Sequence, residues 1–235
     1  MATSSELKVF CKKSGADAVG IAGLDLLRDK LPVIPHDLLD RYHFAISLGI
    51  RLSDDIINPI TNCPTGEYAD HCRDINNVLN DLSSRTATWI GEQGYSAFAV
   101  PASQKINDKN LLGNISHKAV ARMAGLGWQG KSLLIVNPDC GPRLRLVTVL
   151  TDMPLEPDEP IKNRCGKCTE CVMACPASAI KNAPTDSHYK SRDEAIHLDK
   201  CYRQLLEFQT LPGVGYTFCG VCIKVCPFGK KASKT

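Results

Sequence analysis

The stretch Cys165-Gly-Lys-Cys168-Thr-Glu-Cys171-Val-Met-Ala-Cys175-Pro176 decides the architecture of the second part of this chain. Its cysteines are separated by two, two and three residues and are followed by proline, the spacing typical of bacterial ferredoxins. Spacers this short let one loop bring three thiolates to one iron–sulfur cluster, while the fourth cysteine reaches a second cluster. The stretch therefore predicts a module that moves electrons at low potential.

A second cysteine run, Cys219-Gly-Val-Cys222-Ile-Lys-Val-Cys226-Pro227, follows further along the chain. With Cys201, which lies between the runs, the region supplies eight thiolates, as many as two [4Fe-4S] clusters require. Zinc is the alternative, because zinc ribbons also use pairs of cysteines separated by two residues. Zinc does not account for the longer run or for the two cysteine–proline endings, so the sequence favours two [4Fe-4S] clusters.

The spacing also predicts which cysteines share a cluster. The three-residue spacer places Cys175 one helical turn beyond Cys171, so the two thiols are expected to point to different clusters. The first cluster is predicted to bind Cys165, Cys168, Cys171 and Cys226. The second cluster is predicted to bind Cys175, Cys201, Cys219 and Cys222.

The overall composition is that of an ordinary globular protein, with 43% hydrophobic residues and a net charge of +3. This charge is too small to indicate a nucleic-acid partner. No apolar run approaches the about 20 residues that span a bilayer, and the N-terminus lacks a signal-peptide pattern, so we expect no membrane partner and a cytoplasmic location. Twelve cysteines in a cytoplasmic chain favour metal chemistry over disulfides.

A proline-rich segment, Asp152–Pro160, divides the chain as a linker would. Residues 1–155 are predicted to form one domain, and residues 156–235 a small module stabilised mainly by its metal. In the first domain Ser4 or Ser5 is predicted to cap a helix. Alternating helical and strand patterns predict an α+β fold with a layered N-terminal domain. The clearest elements are a helix over residues 67–93 and strands over residues 44–50, 133–136 and 144–150.

The most distinctive stretch outside the cysteine runs is Ala124-Gly-Leu-Gly-Trp-Gln-Gly-Lys131. Its three glycines allow close backbone approach to a flat or anionic group. Taken alone this signal is weak, because a glycine turn packed against Trp128 is an equally good structural explanation.

Together these motifs resemble epoxyqueuosine reductases and their relatives, the reductive dehalogenases. The resemblance covers about residues 60 to 228 and rests on the glycine–tryptophan stretch, the strand that ends in Leu150-Thr-Asp152, and the order of the cysteine runs. It implies a nitroreductase-like domain that holds cobalamin, with the ferredoxin-like module delivering electrons to cobalt. It assigns to the cofactor pocket Gly125, Leu126, Gly127, Trp128, Gly130 and Lys131, and Lys118 is a further candidate for its polar groups.

The chain departs from this family where epoxyqueuosine reductases have an Asp-Thr-Gly-Pro segment whose aspartate donates a proton. The matching stretch here is Leu111-Leu-Gly-Asn114. His117 and Asp108 are the catalytic candidates in its place, with Lys118 and Tyr68 as lesser ones, since His117 is near the expected pocket and titrates close to neutrality. An ordinary surface or capping histidine is the alternative. The chain also lacks the C-terminal extension of longer members, so we expect a substrate other than epoxyqueuosine.

Three functions are compatible with this sequence. The first is a cobalamin-dependent reductase of a small electrophilic molecule, working anaerobically with a low-potential donor of ferredoxin or flavodoxin type. The second keeps the fold and replaces cobalamin with FMN. The third is an electron carrier or activator that reduces the corrinoid of a partner protein.

Overall fold

The computed structural model describes residues 2–25, 27–28, 31–107 and 111–230. Helices and strands alternate in an α+β fold, as the sequence predicts. Asp108, one of the two catalytic candidates, lies outside these described residues.

The main sheet has four strands in the order β1-β2-β6-β3. β1 pairs with β2 antiparallel, with Ile21 opposite Ile46, and β3 pairs with β6 antiparallel, with Phe98 opposite Leu150. A separate two-stranded sheet joins β4 to β5. The strands are β1 (Ala18–Gly23), β2 (Phe44–Arg51), β3 (Ala97–Val100), β4 (Trp128–Gln129), β5 (Ile135–Val136) and β6 (Leu144–Thr151). The strand predicted over residues 133–136 is therefore shorter, because only its last two residues pair with β4.

The helices agree with the predicted pattern, and the long helix is confirmed. They are α1 (Ser4–Lys13), α2 (Asp54–Ile57), α3 (Gly66–Glu92), α4 (His117–Met123), α5 (Glu170–Met173), α6 (Arg192–Ala195), α7 (Leu198–Gln209) and α8 (Val221–Lys224), followed by a 3₁₀ turn over Pro227–Lys230. Within the described residues, none of them has the length and apolar character needed to cross a bilayer.

The cap of α1 lies one residue earlier than predicted. Thr3, rather than Ser4 or Ser5, is the N-cap residue. The hydroxyl of Thr3 accepts a hydrogen bond from the backbone N–H of Glu6 at 3.2 Å, and the Glu6 carboxylate accepts the backbone N–H of Thr3 at 2.7 Å. This reciprocal capping box satisfies two N–H groups that would otherwise have no partner, which explains why Thr3 is preferred.

The chain forms two compact units, each assembled from three segments. Unit 1 contains residues 1–50, 75–126 and 145–161, and unit 2 contains residues 51–74, 127–144 and 162–235. The units thus interleave along the chain, and the predicted boundary at residue 155 stays a prediction.

The core of unit 1 is extensive. It is built around α1, the main sheet and the second part of α3, with Leu7, Ile46, Leu79 and Val149 all fully buried. The proline-rich segment joins this unit, because the Asp158 carboxylate accepts the backbone N–H of Ile21 at 2.9 Å. The predicted linker therefore packs against β1.

Unit 2 is similar in size to unit 1 and has buried apolar side chains of its own, among them Leu52, Trp128 and Phe208. One of its buried clusters consists of Leu133, Tyr189, Ala195 and Ile196. Helices of four residues, such as α5 and α8, cannot be stable in isolation, because a short helix has too few hydrogen bonds to offset its nucleation cost. Helices this short therefore depend on the rest of the unit for their stability.

Candidate iron–sulfur site

The β4–β5 hairpin places the glycine–tryptophan stretch beside the first cysteine run. A Cβ on Gly127 would lie 2.4 Å from the carbonyl oxygen of Val136, so only glycine permits the two strands to approach this closely. The next residue, Trp128, is consequently turned into the interior of unit 2 and is fully buried. The glycine at position 127 thus has a packing role, which is the structural alternative offered by the sequence.

The loop that carries the first cysteines is tied to this hairpin by hydrogen bonds. Asn163 donates through its side-chain amide to the backbone carbonyl of Gln129 at 2.8 Å. The side-chain oxygen of the same Asn163 accepts the backbone N–H of Cys165 at 2.8 Å. One asparagine therefore fixes the start of the loop and with it the position of the Cys165 thiol.

Five cysteines from two distant runs line one cavity: Cys165, Cys168, Cys171, Cys222 and Cys226. Gly130, Lys131 and the aromatic ring of Phe228 also line this cavity. We refer to four of the five as the first cysteine group, because the thiols of Cys165, Cys168 and Cys226 all act on that of Cys171: Cys165, Cys168, Cys171 and Cys226. This is the same set that the spacing predicts for the first cluster, and its assignment as a ligand set stays a prediction.

The thiols of the first group influence one another. Burial raises the pKa of the Cys171 thiol to about 11, and the neighbouring thiols of Cys165, Cys226 and Cys168 raise it further. Burial also raises the pKa of Cys226, although backbone N–H groups of Phe228 and Gly229 act in the opposite direction. Thiols held close together and away from water ionise with difficulty unless a cation is present, because each thiolate repels the next. Iron binding would relieve this repulsion.

The remaining cysteines of the two runs, together with Cys201 between them, form a second cysteine group: Cys175, Cys201, Cys219 and Cys222. Burial raises the pKa of Cys219 to about 11, and the nearby thiols of Cys201, Cys175 and Cys63 raise it too. Burial also raises the pKa of Cys222, followed by the influence of Cys219 and then Cys171. Cys222 additionally lines the cavity of the first group. The two groups are therefore adjacent within unit 2.

Cys63 was given no role by the sequence, since it lies far from both runs and in no ligand spacing. The structure places it close enough to Cys219 for the two thiols to interact electrostatically. No local sequence signal could have found this contact, because it depends on how residues 51–74 fold into unit 2.

The eight thiols fit two iron–sulfur clusters. Each group is partly enclosed, and backbone N–H groups face the sulfurs, as where Ala179 donates to the Cys175 sulfur at 3.3 Å. Such N–H groups stabilise the negative charge that thiolates bring to a cluster. Among the described residues, no three His, Cys, Asp or Glu side chains are arranged to hold a single metal ion.

The residues that the family resemblance assigns to a corrinoid pocket are engaged with the protein itself. The indole N–H of Trp128 donates to the Cys165 sulfur at 3.4 Å. The ammonium of Lys131 donates to the backbone carbonyl of Cys168 at 2.8 Å and to the side-chain oxygen of Asn182 at 2.9 Å. These two side chains are directed at the first cysteine group, and their assignment to a cofactor pocket stays a prediction.

The other predicted pocket residues lie in two different units. Gly125 belongs to unit 1, where a Cβ would lie 2.7 Å from the carbonyl oxygen of Glu159. Leu126 is buried in the same unit, and Lys118 is exposed on α4. Gly130 belongs to unit 2, where a Cβ would lie 3.6 Å from the Cys165 sulfur. Their assignment to a cofactor pocket stays a prediction.

His117 is held by hydrogen bonds on both ring nitrogens. Nδ1 lies 2.8 Å from the Thr148 hydroxyl, and Nε2 lies 3.2 Å from the carbonyl oxygen of Pro101. Because a carbonyl can only accept, Nε2 must carry the proton and Nδ1 must accept from Thr148. Burial lowers the pKa of His117 to about 4, with a further lowering from Arg145 and Lys118. A neutral, fully engaged imidazole is a structural residue rather than a ready proton donor at neutral pH.

The chain is similar to several known proteins. Residues 164–229 match the family described as a 4Fe-4S double cluster binding domain. An epoxyqueuosine reductase of Vibrio cholerae is 32% identical over 71% of this chain and 42% of its own length. A tetrachloroethene reductive dehalogenase of Sulfurospirillum multivorans is 36% identical over 95% of this chain and 50% of its own length. The chain thus spans about half of these relatives or less.

The fold is shared with solved reductive dehalogenases. One such structure, reported as suggesting a mechanism for B12-dependent dehalogenation, superimposes with a TM-score of 0.75 at 20% identity, over 97% of this chain and 32% of the other.

Proposed function

The chain is an epoxyqueuosine reductase-like iron–sulfur protein related to the reductive dehalogenases, and from this premise we propose that it is a corrinoid-dependent reductase. Low-potential electrons would pass through two [4Fe-4S] clusters to the corrinoid, for the reduction of a small electrophilic substrate. The observation that carries the proposal is the meeting of cysteines from two distant runs around one cavity. The relatives' names supply the reaction class.

The cysteine groups would hold the clusters and conduct the electrons. Cys222 supports conduction between the clusters, because it belongs to the second group and also borders the first. Cluster-ligating thiolates and the N–H groups around them tune the reduction potential, which must be low for a corrinoid to be reduced.

The corrinoid is the proposed acceptor of the electrons. Its support is the fold shared with a structure named for B12-dependent dehalogenation. Trp128 and Lys131 donate their hydrogen bonds to the first cysteine group. This observation favours a second candidate function, in which the chain delivers electrons to the corrinoid of a partner protein. A third outcome, FMN in place of the corrinoid, is distinguished by the binding experiment at the end of this subsection.

The proposed substrate is a small electrophile other than epoxyqueuosine. Leu111 occupies the position at which the resembling family carries its proton-donating aspartate, and an aliphatic side chain cannot donate a proton. A substrate that accepts electrons without a proton from this position is consistent with the difference.

Metal content tests the clusters. We expect anaerobically reconstituted protein to contain about eight iron atoms per chain, as two [4Fe-4S] clusters require. The Cys226→Ser variant should lose about half of this iron, whereas the control Cys140→Ser should keep it, because the Cys140 thiol contacts Asn137 and lies outside both cysteine groups. Equal iron in both variants would show that the ligand assignment is wrong.

A titration with cobalamin then shows whether the electron acceptor is a corrinoid held by this chain. Adding cobalamin to the reconstituted protein and recording EPR spectra should give a base-off Co(II) signal if the chain holds the corrinoid. Full iron content without cobalamin or FMN binding would leave the electron-delivery function and exclude the corrinoid-dependent one.

A further inference from the structure

Two side chains of the β4–β5 region contact the first cysteine group without being cysteines. Trp128 donates its indole N–H to the Cys165 sulfur, and Lys131 brings a positive charge to the backbone of Cys168. Lys131 also lines the cavity of the first cysteine group. These contacts place a hydrogen-bond donor and a cation within the immediate surroundings of the predicted cluster.

The orientation of Trp128 is fixed by its neighbours. The ring of Phe228 meets it edge-on, with centroids 4.8 Å apart and planes at 79°. The guanidinium of Arg164 lies over the indole face at 5.6 Å from its centroid. A buried indole N–H requires an acceptor. A thiol sulfur is a weak acceptor and an anionic thiolate is a strong one, so the contact is best satisfied when Cys165 is a metal-bound thiolate.

Lys131 is a buried cation that lacks an anion in the protein. Its side chain is 6% exposed, and both of its hydrogen-bond acceptors are neutral oxygens. Within the described part of the chain, no carboxylate forms an ion pair with it. Glu170 lines the same cavity but is exposed to solvent. Burying a charge without a counter-charge is costly, so the cavity beside Lys131 is where an anion is required.

A [4Fe-4S] cluster bound by four thiolates is that anion, and it gains a further negative charge when it is reduced. We propose that Trp128 and Lys131 set the reduction potential of the cluster at the first cysteine group. The hydrogen bond and the positive charge both favour the reduced, more negative state, and so both raise the potential. This inference rests on the proposed function, because it requires a cluster at these cysteines.

The consequence is a fixed order in which the two clusters are reduced. The first cluster accepts an electron before the second, because these two side chains stabilise its extra charge. In this step one electron passes from an external one-electron reductant to the cluster iron, and no bond is formed or broken. The first cluster therefore carries the electron before it is transferred onward.

The experiment is a potentiometric titration of the reconstituted, full-length protein followed by EPR, with dithionite as reductant. Trp128→Phe removes the N–H and keeps an aromatic ring. Its matched control is Trp89→Phe, since Trp89 stacks on Phe10 in unit 1. Lys131→Gln removes the charge while keeping a hydrogen-bond donor. Its control is Lys12→Gln, an exposed lysine that also donates to a backbone carbonyl, that of Asp17.

We expect the cluster that is reduced first in the wild type to become harder to reduce in both Trp128→Phe and Lys131→Gln. The reduction equilibrium should change by on the order of tenfold, which is about 59 mV for one electron. The second cluster and both controls should be unchanged. Resonance Raman spectra of Trp128→Phe should also show a raised Fe–S(Cys) stretching frequency, because a thiolate that loses a hydrogen bond binds iron more strongly.

Iron and sulfide analysis separates the possible failures. Variants that hold both clusters at unchanged potentials and frequencies would overturn the role of these residues and leave the proposed function intact. Wild-type protein that binds no cluster would overturn both. A lowered potential in the control variants would also count against the inference, since it would show that any change in the chain moves the potential.

Discussion

At the scale of single residues, burial changes the pKa of His117, the property that makes a histidine a candidate proton donor. A histidine near a pocket suggests a proton donor because its unperturbed pKa lies close to neutrality. Here the ring is packed between Thr148 and Pro101, and burial lowers the pKa to about 4. The charged form is disfavoured because the site offers it little water and two nearby cations, Arg145 and Lys118.

This shift predicts a pH dependence of stability in unit 1. The pKa of His117 is lower in the folded protein than the about 6.5 of an unfolded chain, so the unfolded state binds the proton first. The stability that neutral His117 contributes is complete above pH 6.5 and is lost as the pH falls towards 4, by about 3 kcal/mol.

Denaturant unfolding at several pH values checks this prediction, with the fluorescence of Trp89 as a probe of unit 1 in the Trp128→Phe background. His117→Gln should flatten the pH dependence between pH 6.5 and 4. His36→Gln, at an exposed position, should leave it as in the wild type. Equal slopes for wild type and His117→Gln would mean that the pKa of His117 is the same in the folded and unfolded states, which would contradict the prediction.

At the scale of elements, β1 and the end of α4 approach each other as closely as backbone permits. Gly20 in β1 faces the carbonyl of Ala124, the residue that caps α4, and a Cβ at position 20 would lie 2.0 Å from that oxygen. The following Leu126 side chain would be 2.5 Å away. The helix therefore packs on the strand only because position 20 has no side chain.

Gly20→Ala should destabilise unit 1 by about 1–3 kcal/mol or more, since backbone atoms cannot move aside without breaking the strand pairing. Gly91→Ala is the matched control in the same unit. Nothing lies within 4 Å of a Cβ there, and alanine is preferred to glycine in a helix by about 0.5–1 kcal/mol. Urea unfolding followed by circular dichroism should give midpoints displaced in opposite directions. A neutral Gly20→Ala would show that the contact is looser in solution.

At the scale of the whole molecule, the two units differ in what stabilises them. Unit 1 buries a broad apolar core around the main sheet. Unit 2 contains helices as short as four residues and a buried cluster of Leu133, Tyr189, Ala195 and Ile196, and the eight cysteines of its two groups are only partly buried. A metal site contributes folding free energy to the unit that holds it, because the site is not preformed in the unfolded chain.

Removing the iron should therefore unfold unit 2 selectively. Hydrogen–deuterium exchange of chelator-treated protein is expected to show lost protection over residues 162–230 and retained protection in β1, β2, β3 and β6. Cys140→Ser protein with its iron in place serves as the comparison and should exchange like the wild type. Protection that persists over residues 162–230 without iron would show that the apolar contacts suffice.

The sequence by itself determined the local features of this protein. The cysteine spacings predicted the cysteines that lie together in the first cysteine group, because short spacers fix geometry within one loop. Helical periodicity predicted α3, and strand patterns predicted β2 and β6, since both depend on neighbouring residues. The motifs also identified the related reductases.

Only the tertiary structure decided what the glycine–tryptophan stretch does. The resemblance implies a cofactor-pocket role for Trp128 and Lys131, which stays a prediction, and only the structure shows that both contact the first cysteine group. Cys63 likewise reaches Cys219 across a large sequence separation. The physical reason is the same in each case. The direction of a buried side chain is set by the packing of segments distant in sequence, and local patterns carry no information about which segments meet.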